Sequence, residues 1–228
     1  YDQVVIAVSP GRGDNEAYQK VFGLGINHII KWLQRNTTRS VVFISSTSVY
    51  RQKNAEWVQE DIADIPENIT SKTLWEAEQK ISTTEQGVTI LRSSGIYGPG
   101  RSHLFRQFMD GNATIEGDGE RYLNMVHRDD LAEAITHSLT NKDKICGTFN
   151  ITDDEPVKQF DFFEWLSEIT KRPMPLFGPE PDPTTRKRGI TNKRVSNKLF
   201  KETLGFQYNY PTFREGLTEE LENWKAMS

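Results

Sequence analysis

The sequence has little cysteine, no long apolar run and no large excess of charge of one sign. Its 228 residues include one cysteine, Cys146, which excludes an internal disulfide framework and makes a reducing cytoplasm the expected location. Its apolar runs fall well short of a membrane span, so we expect no membrane contact. A formal net charge of −4 gives no global field for nucleic acid, and none is expected as a partner.

Patterns that would hold a metal are also missing. No Cys/His spacing suggests zinc, and Asp129-Asp130 lacks the additional carboxylates of a hard-cation site. We therefore predict no metal.

Residues 41–50 carry the strongest local signal. Four apolar residues predict a strand that is buried on both faces of a parallel sheet. The hydroxyl residues Ser45, Ser46, Thr47 and Ser48 follow directly. Because ligands of open α/β sheets bind beyond the carboxyl ends of strands, these hydroxyls either contact a ligand or only satisfy strand-end backbone groups.

The segments around this strand have the spacing of an α/β protein. Residues 3–8 read as a buried strand and residues 18–33 have helical spacing, so a βαβ unit is complete by Tyr50. A long loop over residues 51–70, a helix over 72–86 and a strand over 88–91 are predicted next. This alternation predicts a parallel sheet.

Four motifs occur in a fixed order along the chain. They are Ser45-Ser-Thr-Ser-Val-Tyr50, Leu91-Arg-Ser-Ser-Gly-Ile-Tyr-Gly-Pro-Gly-Arg101, His127-Arg-Asp-Asp-Leu-Ala132 and Thr148-Phe-Asn-Ile151. In these motifs the sequence resembles the extended short-chain dehydrogenases/reductases, the NAD(P)-dependent epimerase/dehydratase group, and most closely an atypical bacterial branch of it. The resemblance covers nearly the whole chain.

The resemblance implies an α/β fold: a Rossmann-like, doubly wound parallel sheet with a small mixed α/β C-terminal substrate subdomain. Residues 1–100 and 125–151 would form the dinucleotide-binding part, and residues 101–124 and 152–228 the substrate-binding part. NAD or NADP is the implied cofactor. The residue that chooses between them would follow the family's second strand, which has no counterpart here.

The resemblance also implies roles for individual residues. Ser46 stands where the family's catalytic Ser or Thr holds the substrate oxygen near the nicotinamide. Lys72 stands where the family's lysine contacts the cofactor ribose, with the alternative of an exposed helix lysine paired with Glu76. The expected cofactor contacts are Val8, Ser9, Ser45, Lys72, Ser94, Gly95 and Ile96. The expected substrate contacts are Ser46, Thr47, Arg101 and His127.

Two positions depart from the family pattern. The family's catalytic tyrosine precedes the lysine by four residues, and Asn68 occupies that position. Because an amide does not titrate, Asn68 cannot exchange the proton that accompanies hydride transfer. Lys20 likewise replaces an asparagine that precedes Gly23 by three residues. Tyr97 is the leading replacement for the missing tyrosine, with the alternative that its ring only packs beneath its loop.

Several charged or titratable residues have both a functional and a structural interpretation. His127 could exchange a proton near neutrality, but a histidine before an Asp-Asp cap more often orders a loop. Arg101 and Arg121 are candidates to clamp a phosphate-bearing substrate, or are ordinary surface arginines. The basic cluster of residues 186–188 with Lys193 and Arg194 either meets an anion or is a solvated face.

The Gly-rich turn that seats a dinucleotide pyrophosphate on a helix N-terminus does not occur in the sequence. Gly11-Arg-Gly13 lacks the third glycine and the required spacing. In motif order, residues 3–8 correspond to the family's fourth strand, so we expect roughly 60 further residues to precede Tyr1 in the protein.

Two functions remain open at this stage. The first is an NAD(P)-dependent oxidoreductase or epimerase that acts on a small hydroxylated substrate, free or nucleotide-linked; for the protein itself, the resemblance implies a homodimer formed through the two long helices. The second is a catalytically silent dinucleotide-binding relative that works as a sensor or protein partner. Asn68 and Lys20 favour the second, whereas Ser46 and the strand-end glycines favour the first.

Overall fold

The computed structural model of the protein describes residues 1–11, 13–62, 64–84, 87–141, 145–180, 182 and 190–227. Its strands are β1 (Gln3–Ile6), β2 (Ser40–Ser46), β3 (Glu56–Val58), β4 (Val88–Ser93), β5 (Gly95–Tyr97), β6 (Thr114–Glu116), β7 (Tyr122–Leu123), β8 (Met125–His127), β9 (Gly147–Ile151), β10 (Val157–Lys158), β11 (Leu176–Gly178) and β12 (Lys193–Val195). Its helices are α1 (Asn15–Tyr18), α2 (Ile26–Leu33), α3 (Ile69–Ser82), α4 (His103–Met109), α5 (Arg128–Thr140), α6 (Gln159–Thr170), α7 (Lys198–Leu204) and α8 (Phe213–Met227). A π-helical segment, Gln19–Gly25, joins α1 to α2, and a 3₁₀ turn, Thr47–Val49, follows β2.

The central sheet is parallel, with the strand order β1-β2-β4-β9. Val41 and Phe43 of β2 pair with apolar residues on both sides, so that Phe43 lies between Ile6 and Ile90. Ser46 pairs with Ser93, which brings the carboxyl ends of β2 and β4 to the same sheet edge. The predicted parallel sheet is confirmed.

Helices cover both faces of this sheet. Side chains alternate between faces along a strand. Accordingly, Val41 and Phe43 pack in a core with residues of α2 and α3, whereas Val42 packs in a second core with Leu131 and Ala134 of α5. A sheet whose strands are buried on both faces is the doubly wound arrangement, and the predicted fold class is confirmed.

A third core forms between α4, α6 and α8. Its buried members are mostly aromatic or branched: Tyr97, Phe105, Phe108, Met109, Ile115, Leu123, Met125, Val157, Phe162, Phe163, Leu166, Phe213, Leu217 and Leu221. Two short strand pairs, β6 with β11 and β7 with β10, border it. The pair of β12 with β3 ties this C-terminal region back to the loop after β2.

Helix boundaries differ from the sequence expectations where side chains cap the backbone. The helix expected over 72–86 begins at Ile69, because the Asn68 side chain accepts hydrogen bonds from Thr70 N and Ser71 N, and it ends at Ser82. The expected loop over 51–70 contains β3, whose partner β12 is distant in sequence. Helix α7 begins at Lys198 and ends before Gly205, which has φ +65°.

Within the described ranges, no helix combines the length and apolar character that crossing a bilayer requires. The same ranges hold no cluster of three or more His, Cys, Asp or Glu side chains arranged for a metal ion.

Candidate functional site

A cavity of about 340 Å³ opens at the carboxyl ends of β2 and β4. The sheet supplies one wall and the C-terminal region supplies the other. The lining residues are Ser46, Thr47, Ser48, Ser94, Gly95, Leu104, Arg121, Tyr122, Leu123, Asn124, Met125, Thr191 and Lys193. Four residues expected to contact cofactor or substrate, Ser46, Thr47, Ser94 and Gly95, therefore share one cavity.

A second cavity, of about 500 Å³, shares Ser48 and Thr191 with the first. Asn68 and Ser71 at the start of α3 line it, together with Tyr50. The shared residues make the two cavities neighbours along one groove. The groove runs from the end of β4 to the N-terminus of α3.

Ser46 keeps a free donor at the sheet edge. Its Oγ accepts a hydrogen bond from Ser48 N at 3.2 Å, which caps the 3₁₀ turn. A hydroxyl has one proton to donate besides its acceptor lone pairs. Ser46 can therefore donate to an oxygen of a ligand in the cavity while its own position stays fixed by the turn.

Ser45 belongs to a buried network beneath the cavity and does not line it. Its hydroxyl donates to the Glu78 carboxylate. The same carboxylate accepts hydrogen bonds from Arg92 Nε and, at 2.7 Å, from Arg92 Nη2. Arg92 Nη1 donates to the hydroxyl of Tyr50 at 2.9 Å, and that hydroxyl donates to Asn150. Burial opposes the charge of Arg92, but the hydrogen bonds and charge of Glu78 raise its pKa. The network ties β2, β4 and β9 to α3 below the cavity floor.

Lys72 lies outside both cavities. Its side chain is exposed, and its ammonium forms no ion pair with Glu76 or with any other described carboxylate. Asn68, at the position of the family's tyrosine, is the N-cap of α3. Its Oδ1 accepts from Thr70 N at 3.0 Å and from Thr70 Oγ1 at 2.7 Å. The Asn68 amide therefore serves to cap the N-terminus of α3.

Tyr97 is buried against α8. Its hydroxyl donates to Thr212 O at 3.2 Å, and a Cβ built on Gly216 would lie 2.6 Å from its ring. Burial, reinforced by the Asp153 carboxylate, raises the pKa of this phenol. These contacts favour the packing interpretation of Tyr97.

His127 is also buried, in contact with both Tyr97 and Tyr210. Its Nδ1 accepts from Asp129 N at 3.3 Å, so His127 is the N-cap of α5. The predicted cap by the Asp129-Asp130 carboxylates is wrong, because Asp130 instead accepts from the N–H groups of residues 209 and 210. Burial lowers the pKa of His127, although Asp129 opposes the shift.

Other expected site residues are spread along the sheet edge. Val8 and Ser9 are exposed in the loop after β1, where Ser9 Oγ accepts from Gly11 N. Ile96 packs beside the core on the α5 face. Arg101 is exposed before α4 and lines neither cavity.

Two basic residues do reach the first cavity. Arg121 lines it and pairs with Glu116, with Nη2 and Oε2 3.0 Å apart. Lys193 lines it as well, from the start of β12. Arg194 faces away and stacks on Trp57, and residues 186–188 of the predicted basic cluster lie outside the described residues.

Lys193 belongs to the predicted basic cluster, but the sequence did not indicate that its side chain is buried. It is only 5% exposed, and its Nζ donates to Tyr50 O at 3.1 Å and Thr191 Oγ1 at 2.8 Å. Burial, reinforced by the charge of Arg121, lowers its pKa to about 7. Its spacing from buried Val195, two residues along a strand, is the local signal that it faces inward.

Residues 11–225 match the RmlD substrate binding domain family. The chain belongs to this family. This agrees with the motif order in the sequence, and the resemblance to NAD(P)-dependent epimerases and dehydratases is confirmed.

Two curated relatives and one solved structure illustrate the likeness. Protein YeeZ of Escherichia coli K12 is 31% identical over 172 residues, which are 75% of this chain and 58% of YeeZ. The N-acetyl-α-D-glucosaminyl-diphospho-ditrans,octacis-undecaprenol 4-epimerase of E. coli O157:H7 is 26% identical over 154 residues, 62% of this chain and 46% of the epimerase. The structure of MoeE5 with UDP-glucose and NAD has a TM-score of 0.83 at 23% identity and covers 100% of this chain and 80% of MoeE5. The chain spans about half the length of the curated relatives that it matches.

Proposed function

We propose that the protein is an NAD(P)-dependent oxidoreductase or epimerase that acts on a hydroxylated, nucleotide-linked substrate. The observation that carries the proposal is the first cavity. It places the Ser46 hydroxyl at the carboxyl edge of a Rossmann-like sheet, opposite a basic wall formed by Arg121 and Lys193. A hydroxyl donor and a basic wall suit a substrate that carries both a reacting oxygen and an anionic group.

The cofactor would lie along the same sheet edge. Gly95 lines the cavity just beyond the end of β4, and Val8 and Ser9 present an exposed loop at the end of β1. These features fit a ligand that crosses the strand ends, and Val8, Ser9 and Gly95 are the residues that would hold it. When bound, a nicotinamide cofactor supplies a hydride acceptor or donor.

The chain's own residues would hold and orient the substrate. Ser46 would donate to the reacting oxygen, and Thr47 would lie beside it on the same turn. The basic wall would fix the anionic end, so that the reacting carbon faces the strand ends. A role for Lys72 on the cofactor ribose would require its exposed side chain to swing toward the groove.

A silent relative remains the competing proposal, and one observation supports it. Asn68 is committed to capping α3, so no titrating side chain occupies the position of the family's tyrosine. An enzyme would then need a different residue in the groove to exchange the proton.

Calorimetric titration of the full-length protein with NAD(H), NADP(H) and nucleotide sugars tests the proposal. For the enzyme, we expect cofactor binding, and we expect Ser46→Ala to abolish turnover while cofactor affinity changes less than about twofold. Ser82→Ala is the matched control, because Ser82 is exposed at the end of α3 and bonds only to Gln79 O.

Cofactor binding with no turnover of any nucleotide sugar, in wild type and variant alike, would favour the silent relative. Failure to bind either dinucleotide would reject both proposals.

A further inference from the structure

Lys193 is a buried amine whose protonated form has no described anionic partner. Its two hydrogen-bond acceptors, Tyr50 O and Thr191 Oγ1, are neutral oxygens. An ammonium has three N–H donors, so one donor remains for the cavity that Lys193 lines. Structural tethering alone does not account for a lysine here, because burying an unpaired charge is costly and neutral residues can make the same bonds.

The charged groups around Lys193 do not neutralise it. Glu56 is its ladder partner in β3, but the Glu56 carboxylate accepts from Asn54 N at 2.8 Å and from Asn54 Nδ2 at 3.1 Å. Arg121 adds a second positive charge from the loop before β7, and its own partner is Glu116.

The two tyrosines near Lys193 bring no negative charge. Tyr50 offers Lys193 only its carbonyl, since its phenol is held in the buried network with Arg92. Tyr122 lines the cavity beside Arg121 and lies under the Arg194 guanidinium.

The cavity lining has an unbalanced composition. It contains two basic side chains and several hydroxyls, and no Asp or Glu is among its described lining residues. Ser94 is only 7% exposed, and its hydroxyl has no hydrogen-bond partner among the described residues. Because buried polar groups are normally hydrogen-bonded, an unpartnered hydroxyl at a cavity wall indicates a donor for a ligand. Lysine, arginine and hydroxyl donors around one space are the groups that bind oxyanions.

We propose that Lys193, with Arg121 and Ser94, forms an oxyanion subsite that binds a phosphate or carboxylate group of the substrate, and that Lys193 takes up a proton when the group binds. The inference rests on the proposed function, because it makes this cavity the place where the anionic part of the substrate is held. The proton uptake follows from charge: an anion beside the amine stabilises its protonated form.

Lysine-selective NMR of the full-length protein tests the proposal directly. The Cε signal of Lys193, assigned by its loss in Lys193→Met, is followed from pH 6 to 9 with and without ligand. Sulfate, UDP-glucose and glucuronate are suitable probes, since the oxyanion group of each keeps a constant charge over this range. We expect a bound oxyanion to move the Lys193 titration midpoint upward by about one pH unit or more.

The probes separate the two sources of the oxyanion. A shift with UDP-glucose but not glucuronate assigns the subsite to phosphate, and the reverse assigns it to carboxylate. No shift with any of the three overturns the proposal. Binding without a Lys193 shift also overturns it, because the anion then binds elsewhere.

Variants give an independent readout by calorimetry. Lys193→Met should weaken oxyanion binding by at least about tenfold, the loss of one charge-assisted hydrogen bond. Lys193→Arg should retain binding but lose its dependence on pH, since arginine does not titrate in this range. Lys198→Met is the matched control, because Lys198 is an exposed lysine paired with Glu202. If Lys193→Met fails to fold, as judged by circular dichroism, the wild-type titration and Lys193→Arg decide.

The outcome is separable from that of the proposed function. Sulfate that shifts Lys193 in a protein that binds neither dinucleotide nor nucleotide sugar would leave the subsite standing and reject the enzyme. Dinucleotide binding and turnover with no oxyanion effect on Lys193 would do the opposite.

Discussion

Burial of the Lys193 amine makes the stability of the folded chain depend on pH. In the unfolded chain a lysine titrates near about 10.4, whereas in the folded chain its pKa is lowered to about 7. Between these values the unfolded state holds a proton that the folded state lacks. Stability therefore rises as the pH increases through this window and is reduced below it.

We expect this contribution to disappear in Lys193→Met. Within the window, wild type should gain up to about 1.4 kcal/mol of stability per pH unit relative to the variant. Urea denaturation of both proteins at pH 7, 8 and 9 measures the difference. A constant difference between the two proteins across these pH values would show that Lys193 is not shifted.

The buried pair of Arg92 and Glu78 contrasts with Lys193. Its charges are matched by bidentate hydrogen bonds, and the Ser45 and Tyr50 hydroxyls fill the remaining positions. Such a network is costly to break from one side, at roughly 3–5 kcal/mol. The resemblance implied that Ser45 contacts the cofactor, whereas in the structure its hydroxyl donates to Glu78. Alternation along β2 turns neighbouring side chains to opposite faces, and the decisive partner, Glu78, comes from α3.

At the scale of elements, caps decide where the helices of this chain begin. Thr212 and Glu215 form a capping box before α8: Thr212 Oγ1 accepts from Arg214 N, and Glu215 accepts from Thr212 N at 3.0 Å. The cap of α5 by His127 was missed, because histidine is not among the residues that normally indicate an N-cap.

The cap of α3 gives a test at this scale. We expect Asn68→Ala to destabilise the protein by about 1 kcal/mol, since Thr70 N and Ser71 N lose their acceptor, and Asn68→Asp to be nearly neutral. Thermal or urea unfolding of the two variants compares them. Equal stability of wild type and Asn68→Ala would mean that water replaces the cap without cost.

The π-helical segment was not foreseen either. Helical spacing over residues 18–33 predicted a regular helix, but the turn over Gln19–Gly25 is widened. Gln19 Nε2 donates to Thr73 Oγ1 at 2.8 Å, which fixes this segment against α3. Lys20 points outward and pairs with Glu16 at 3.3 Å. A widened turn depends on contacts between helices, which periodicity does not report.

At the scale of the molecule, the fold could be predicted from the sequence, but only one of the two walls of the first cavity could. The strands β1, β2 and β4 and their crossover helices carry local patterns, so periodicity was sufficient for the parallel sheet. The wall formed by the sheet could be inferred from the polar residues that follow the predicted strands. The opposite wall depends on β12 returning to pair with β3, and short strands with distant partners leave little local signal.

The predicted homodimer is a further test at this scale. Leu24 and Trp32 on the first helices and Ile69 on α3 are 60%, 38% and 55% exposed, which supports a contact through these helices. We expect light scattering to give twice the 26.2 kDa mass of the chain. Trp32→Lys should shift the protein toward monomer, while Trp57→Lys, on the side of β3, should not. A monomeric wild type would end the proposal.

The return of β12 also sets an order of events during synthesis. Lys193 Nζ and the Tyr50 carbonyl that it contacts are 143 residues apart in the chain. A ribosome that adds about 5–20 residues per second delivers the lysine roughly 7–30 seconds after the tyrosine. The four central-sheet strands that the structure describes have been made by residue 151, before β12 exists. A nascent chain can therefore assemble its sheet early, but it cannot complete the first cavity until the segment that carries β12 has left the exit tunnel.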